Sequence, residues 1–600
     1  MSSDQSQAAF AAPQEYCDIV MKGGITSGVV YPLALTSLAK KYRFSNIGGT
    51  SAGAIAAAAA AAAEYGRLSD KGGFLRLATV PDEVGPHLKS LFQPTPVLKP
   101  LFDIFVALLE SRSAFGKIAG LLRAALLGYR KEAIIGGSLG FFLALPLVAQ
   151  GVAFWPSLVL FLLLVALGVA VALVWRLIEA FKRDLPDNDY GLCPGLRQEG
   201  GEDEGFTDWL ARLIDEAAGR APDSAPLTFG ELKKPPQDGR PITLMMMTTS
   251  LMEKRPYTLP LDSGREGDAT YGFVFEIGEW KRLFPQRVID YLLKVCERDF
   301  QSQGEPGEFY TFPHRDDLPI VVAARMSLSF PGLISAVPLW RRDYKYASKP
   351  DQQTLRRCLF SDGGLSSNFP IHFFDKLLPN SPTFAISLDR FDPKRHDPEE
   401  GDGRIWMFRK PREGASLPIL PFSGFGDFLF RLVDAAKDWQ DNLQSVLPGY
   451  RERIVHVGLS DDEGGLNIAM TEETVRKLVA LGERAGERLA DFDGDDMDAH
   501  RWRRFLVAMA RMEQTLDDLT RSCEGVAQTS SGPTIESFGR FLERYPALAR
   551  EYEQTPEVLN ALLTRAAEIQ EIGAQWRDSP TIRSGRIPQP DTNLRITAKP

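Results

Sequence analysis

The chain has 600 residues and a formal net charge of −9. That length allows a large core and two or three structural units, and the acidic balance excludes an overall basic footprint for nucleic acid. Five scattered cysteines, Cys17, Cys193, Cys296, Cys358 and Cys523, show no C-x-x-C or Cys/His spacing for zinc, and they read as thiols of a reducing compartment.

The N-terminus, Met1-Ser2-Ser3-Asp4-Gln5, is polar and carries no basic residue ahead of an apolar stretch. It is not expected to be a secretory signal, and residues 1–14 are expected to be disordered. Residues 15–84 are expected to be the first part of the core. A strand over Tyr16–Val20 runs into Met21-Lys22-Gly23-Gly24-Ile25-Thr26-Ser27-Gly28. A glycine pair leaving a strand can aim backbone N–H groups at one spot, as an oxyanion requires. An ordinary glycine turn has the same composition.

A second strand, Tyr42–Ile47, leads into Gly49-Thr50-Ser51-Ala52-Gly53 and an alanine run to Ala63. Alanine is the strongest helix former. G-x-S-x-G between strand and helix sets the serine in a strained turn, and its glycines are needed because a Cβ there would meet neighbouring backbone. The helix N-terminus below the serine favours developing negative charge.

Residues 85–132 are expected as an apolar helical insertion broken by Pro94, Pro96 and Pro100. From Ala133 to Trp175 there is no charged residue, a run of 175 − 133 + 1 = 43. A spanning helix needs about 20 residues, so the run is expected to form a transmembrane helical hairpin. It turns at Gln150–Pro156, near Phe154 and Trp155. Arg130 and Lys131 on one side, and Arg176, Lys182 and Arg183 on the other, place both ends in the cytoplasm. A buried helical hairpin is the soluble alternative. Residues 176–239 are expected as a cytoplasmic insertion, partly loop.

The core is expected to resume over 240–395, with strands at Pro241–Thr249, Phe273–Ile277, Ile320–Ala323 and Thr383–Leu388. Leu359-Phe360-Ser361-Asp362-Gly363-Gly364 places an aspartate at a strand end, where the glycines let it approach a nucleophile. A plain Asp-Gly turn is the bland alternative. Residues 396–465 read as loop-rich, with 396–415 charged and exposed. Residues 466–575 read as a helical C-terminal region that starts with a Thr471 cap. In it, His500-Arg501-Trp502-Arg503-Arg504 fits either anionic lipid headgroups or a solvated helix face. Residues 576–600 read as a loose tail.

Together the glycine turn, G-x-S-x-G and Asp-Gly-Gly resemble the patatin-like phospholipase family. The resemblance covers roughly residues 16–66 and 240–395, including Ala324–Gly332. It implies a three-layer α/β hydrolase core with a Ser–Asp dyad and no histidine. Ser51 would be the nucleophile and Asp362 the base. Gly23 and Gly24 would belong to the oxyanion hole, and Gly28, Gly49, Gly53, Gly363 and Gly364 to the motifs. The family's usual loop is Asp-Gly-Gly-Gly-x-Arg-Gly; here Lys22, Ile25 and Ser27 replace its first Asp, third Gly and Arg. Of six histidines, His372 lies closest after Asp362, and its setting reads as packing. Ser51 and Asp362 stand 362 − 51 = 311 positions apart, and the hairpin-bearing insertion accounts for the excess.

The expected activity is hydrolysis of fatty-acyl esters of phospholipids or lysophospholipids at the bilayer through an acyl-enzyme, with no metal or other cofactor. Other readings are an esterase or acyltransferase on different acyl groups, and a non-enzymatic membrane scaffold.

Overall fold

The computed structural model describes residues 8–11, 13–24, 27–110, 114–149, 154–201, 203–222, 224–235, 240–262, 272–299, 307–342, 355–391, 403–408, 417, 419, 424–460, 463–464, 467–468, 470–523, 526–529, 532–535, 555–578, 582 and 588. Several expectations fall outside them: most of the N-terminal stretch, Ile25 and Thr26 of the glycine turn, the centre of the hairpin turn, most of the charged loop and most of the tail.

The main elements follow in chain order. β1 (Glu15–Met21), α1 (Tyr31–Ala39), β2 (Tyr42–Gly49), α2 (Ala52–Tyr65), α3 (Gly73–Ala78) and α4 (Val80–His87) form the first part. The insertion holds α5 (Lys99–Glu110), α6 (Ala114–Gly128), α7 (Arg130–Ala149), α8 (Phe154–Glu179), β3 (Gly191–Cys193) and α9 (Phe206–Ala217). Then come β4 (Thr243–Ser250), β5 (Arg255–Leu259), β6 (Phe273–Glu276), β7 (Phe309–Thr311), α10 (Ile320–Ser327), β8 (Gly332–Ile334), β9 (Val337–Arg342), β10 (Leu355–Asp362) and β11 (Thr383–Arg390). β12 (Ile405–Met407), α11 (Gly424–Ser445), β13 (Ile454–Leu459), α12 (Glu472–Ala490), α13 (Gly494–Cys523), β14 (Val526–Thr529), β15 (Gly532–Ile535) and α14 (Pro556–Arg577) complete the chain.

The fold is mixed α/β around one large sheet, ordered β12-β13-β11-β1-β2-β4-β10-β9-β6-β7, with β5 also on β4. β13, β11, β1, β2 and β4 run parallel. From β10 the sheet continues antiparallel through β9, β6 and β7. The centre of β1 is buried on both faces, as parallel strands sandwiched by helices require. α2 can lie this close to the sheet because its run of alanines keeps it thin. Ala57, Ala58 and Ala60 through Ala63 are buried in the main core.

Two expectations change. Ile320–Ala323 is helical, the start of α10, and not a strand. Every residue of α10 is buried, so its apolar run has no polar face to reveal its period. Pro319, in extended backbone, immediately precedes its first residue. Residues 396–465 are richer than a loop. They supply β13, which pairs in parallel with β11 and extends the sheet, and they supply α11.

Among the described residues one helix, Trp155–Asp187, is long and apolar enough to cross a membrane. The expected pair of spans therefore reduces to one candidate helix. α7, its expected partner, is diluted by Gly136, Gly137, Ser138, Gly140 and Pro146. α7 and α8 nevertheless pack antiparallel. A Cβ at Gly136 would stand 2.3 Å from Gly168 O, and one at Gly140 would stand 2.4 Å from Leu164 O. Small residues at this spacing let backbones touch. The base of the pair packs on α5 and α6 through Ile104, Ala125, Tyr129 and Leu173.

The C-terminal basic cluster faces inward more than lipid or solvent readings require. Arg504 bonds Asp375 at 2.7 Å, Arg503 lies 3.2 Å from Glu452, and His500 is buried. Trp502 stays exposed. As expected, Thr471 caps α12, its side chain accepting the Thr474 N–H.

Candidate active site

β2 delivers Ser51 to the first position before α2. Its φ of 56° and ψ of −130° lie where an L side chain is strained, which costs about 1–3 kcal/mol. The turn is locked by neighbours. A Cβ at Gly49 would meet Gly53 O at 2.1 Å, and one at Gly53 would meet Met21 O at 2.4 Å. Only glycine fits at either place. The Ser51 N–H donates to Ser327 Oγ at 3.2 Å, so the end of α10 ties down the strained turn. The side chain stands at the α2 N-terminus, where first-turn N–H groups lack helical partners.

β10 delivers Asp362. In the sheet β4 separates β10 from β2, so their backbones lie two strand spacings apart, about 10 Å. Gly49 pairs with Met246 and Asp362 with Thr248 on that shared strand. Both residues thus lie at the carboxyl end of β4, the edge where open α/β sheets hold ligands. Asp362 is buried. Its Oδ1 accepts the Gly364 N–H at 2.7 Å, and its own N–H donates to Ser329 O at 3.0 Å. Arg325 supports this from below, donating to Ser329 Oγ at 2.7 Å and to Pro194 O and Ser335 O at 2.9 Å. Burial lowers its pKa to about 9. Gly363 packs on β4, where a Cβ would meet Met247 O at 2.1 Å.

Asn368 links the two halves. A Cβ at Gly23 would stand 2.2 Å from Asn368 Oδ1 and 3.0 Å from Ser51 Cβ. A Cβ at Gly364 would stand 2.8 Å from the same Oδ1 and 2.9 Å from Asp362 Oδ1. The glycine turn, the serine, the amide and the carboxylate therefore form one cluster. The Gly23 N–H donates to Asn368 O at 2.8 Å, and Thr50 Oγ1 donates to the same oxygen at 3.1 Å. The Gly23 N–H is thus engaged with the Asn368 turn. Gly24 follows Gly23, and Gly28 lies in the next turn, where a Cβ would stand 3.4 Å from Ala52 Cβ.

Asp441 on α11 holds the Asn368 turn. It accepts from Ser367 Oγ at 2.8 Å, from the Asn368 N–H at 2.5 Å and from the Phe369 N–H at 2.9 Å. Burial pushes its pKa up. Lys22, beside Gly23, bonds Asp389 at 2.9 Å, and Asp389 bonds His456 Nδ1 at 2.7 Å. Burial alone would lower the Lys22 pKa, but Asp389 holds it above its usual value. Burial would raise that of Asp389, but Lys22 and His456 hold it well below. His372 packs edge-on to Phe373, and burial lowers its pKa. Among the described residues no three His, Cys, Asp or Glu side chains gather as a metal site.

A family described as patatin-like phospholipase matches residues 19–114, which carry the end of β1, the glycine turn and Ser51. Across 567 residues the chain is 35% identical to a protein named RpoH suppressor from Rhizobium meliloti (strain 1021), covering 83% of this chain and 86% of that one. The chain belongs to the patatin-like phospholipase family. Its members are lipid acyl hydrolases in general terms. Two solved structures overlap loosely. VipD from Legionella pneumophila gives a TM-score of 0.32 at 12% identity, over 94% of this chain and 86% of that one. The ExoU–SpcU complex from the type III secretion system of Pseudomonas aeruginosa gives 0.20 at 15%, over 91% and 68%. Scores this low place no residue of this family member.

Sequence reasoning missed Asn368 and Asp441 as parts of the site. The Ser-Ser-Asn-Phe-Pro run after the glycines carried a turn signal. Nothing in sequence spacing ties Asp441, 441 − 368 = 73 positions later, to that turn. Ser327 lies in the Ala324–Gly332 segment already singled out, although its bond to Ser51 could not be read there.

Proposed function

We propose that this chain is a membrane-anchored lipid acyl hydrolase that cleaves fatty-acyl esters of phospholipids or lysophospholipids. The observation that carries the reading is the strained Ser51, clustered through Gly23 and Asn368 with Asp362. Ser51 Oγ attacks the acyl carbonyl while Asp362 takes its proton. The oxyanion gathers at the Gly24 N–H and the first-turn N–H groups of α2. The proton passes to the departing alcohol oxygen, leaving an acyl-serine. Asp362 then takes a proton from water as its oxygen attacks and returns it to Ser51 Oγ as the acyl–oxygen bond breaks, which releases the fatty acid and restores the dyad.

The α7–α8 pair is the anchor in this reading. Its helices meet through glycines, while Ile135, Leu139, Phe142, Leu163, Leu167 and Val171 stay exposed. An apolar surface of this kind suits lipid contact. Substrate held in the same bilayer meets the site at raised local concentration.

A fluorophosphonate probe tests the chemistry. Peptide mapping should find the adduct on Ser51 in wild type and none in Ser51→Ala. An adduct on another serine would overturn the assignment.

A further inference from the structure

Six cations surround the base of the α7–α8 pair without a carboxylate to answer them. From Ser111 to Trp175 the only acidic residue is Glu132, and it lies 3.8 Å from Arg176. Arg176 also lies 2.7 Å from Asp184 and 3.9 Å from Glu179, so this one guanidinium engages all three acids. Lys117 and Arg123 on α6, Arg130 and Lys131 at the start of α7, and Lys182 and Arg183 beyond α8 are exposed. Among the described residues none of these six has an ion pair. In a chain of net charge −9, a local field of this sign draws an anion from outside the protein.

α6 adds an apolar face to that charge. Ile118, Leu122 and Leu126 follow one another at i, i+4 and i+8, on one side of the helix. With Leu127 they each leave at least 43% of their surface open, so protein does not cover them. The other side seats α6 on the anchor, where Leu121, Ala124 and Ala125 join Leu173 and Leu177 of α8 in one cluster. The exposed apolar run continues along the chain into Ile134 and Ile135 of α7, and so into the surface assigned to lipid. Between α5 and α6 an open groove of about 840 Å³ is lined by Lys99, Asp103 and Arg123. Lys99 and Asp103 lie 3.8 Å apart, and among the described residues Arg123 has no such partner.

Two properties select the partner. An apolar stripe flanked by lysine and arginine is the pattern of a helix that lies in a membrane interface. Basic residues beside a membrane anchor are drawn to acidic lipid. A second copy of the chain fits less well, because a two-fold contact would set Lys117 and Arg123 against the same cations.

We propose that α6 lies in the bilayer interface beside the anchor, with Ile118, Leu122 and Leu126 among the acyl chains and Arg123, in the α5–α6 groove, on the phosphate of an acidic phospholipid. The assignment rests on the reading of α7–α8 as the anchor. The insertion then reads lipid charge as well as holding the chain to the membrane.

The test uses the full-length chain in nanodiscs of phosphatidylcholine, with or without an equal part of phosphatidylglycerol. Ser51→Ala keeps the disc lipid intact. Cys523→Ser leaves the buried Cys17, Cys193, Cys296 and Cys358. A nitrobenzoxadiazole dye is attached through Leu122→Cys on α6 or Leu163→Cys on α8, and its quenching by nitroxide-labelled lipid is measured. In mixed discs both positions should be quenched. In phosphatidylcholine alone, or in molar salt, where the Debye length falls to about 3 Å, position 122 should lose most of its quenching and position 163 should not change. Lys117→Gln and Arg123→Gln should each lower the ratio of quenched to unquenched dye at position 122 about fivefold. If these variants do not fold, the lipid and salt dependence decides alone. Equal quenching at position 122 in both lipids overturns the acidic-lipid assignment. Quenching at 163 alone in both lipids overturns the interfacial helix and leaves the anchor standing. Quenching at neither position overturns the anchor, and this proposal with it. Burial of the dye at 122 only in discs that hold two copies makes the face a contact between copies and overturns the lipid assignment.

Discussion

Asn368 grips Gly23 twice. Its carbonyl accepts the Gly23 N–H at 2.8 Å, and its side-chain Oδ1 fills the place where a Gly23 Cβ would lie, 2.2 Å away. The glycine turn beside the nucleophile is thus set by the loop that leads from Asp362.

Gly23→Ala should therefore displace the glycine turn without unfolding the core. A misplacement near 1 Å costs about a hundredfold in turnover. We expect kcat to fall by that order while Tm changes little. Adding Asn368→Ala removes the obstructing Oδ1 and should return part of the loss. A Gly23→Ala single variant with normal kcat would show that the turn does not shape the site.

Ser51→Ala and Asp362→Asn should each abolish ester turnover at an unchanged protein level. Groups that act as a unit lose function together, so the double variant should be no worse than either single one. His372→Ala should cost little. If Asp362→Asn kept full turnover, another base would be at work.

Much of this site was legible in the sequence, because its parts are local. Gly49–Gly53 carries its own strand, turn and helix, and Asp362 carries its own strand end. The contacts that join them were not legible. Ser327, Asn368 and Asp441 act through hydrogen bonds that reach across 276, 318 and 73 positions, and no local period records such pairs. α10 misled for a related reason. A short helix buried all round has the same apolar run as a buried strand, and only its place under α2 distinguishes it. The apolar insertion was legible as hydrophobic. Its division into one candidate span and a glycine-diluted partner depends on helix packing.

The Lys22–Asp389 pair should make the glycine turn tolerant of neutral pH and vulnerable in acid. Asp389 is held below its usual 3.8, so its contribution is fully present above that value and is lost as pH falls toward the folded value. Lys22 is held above its usual 10.5, so its contribution is present below that value and is lost only as pH rises beyond it. Asp389→Asn leaves Lys22 without its partner and should destabilise the fold by about 3 kcal/mol. The Tm difference from wild type should stay constant between about pH 5 and pH 9 and shrink below pH 4. A difference that grew in acid would contradict this.

The anchor should be separable from the chemistry. Replacing residues 137–168 with a short polar linker spares Tyr129 and Leu173, which seat the base of the helix pair. The variant should leave the alkali-washed membrane fraction yet still bind fluorophosphonate at Ser51. Cleavage of vesicle phospholipid should fall as substrate concentration near the site is lost. Retention in washed membranes would show that these helices are not the anchor.

Lipid mass spectrometry on membranes that hold wild type or Ser51→Ala at equal level tests the central claim most directly. Wild type should release free fatty acid with matching loss of phospholipid or lysophospholipid, and Ser51→Ala should leave both at the level of membranes without the protein. Equal lipid loss with wild type and Ser51→Ala would contradict it.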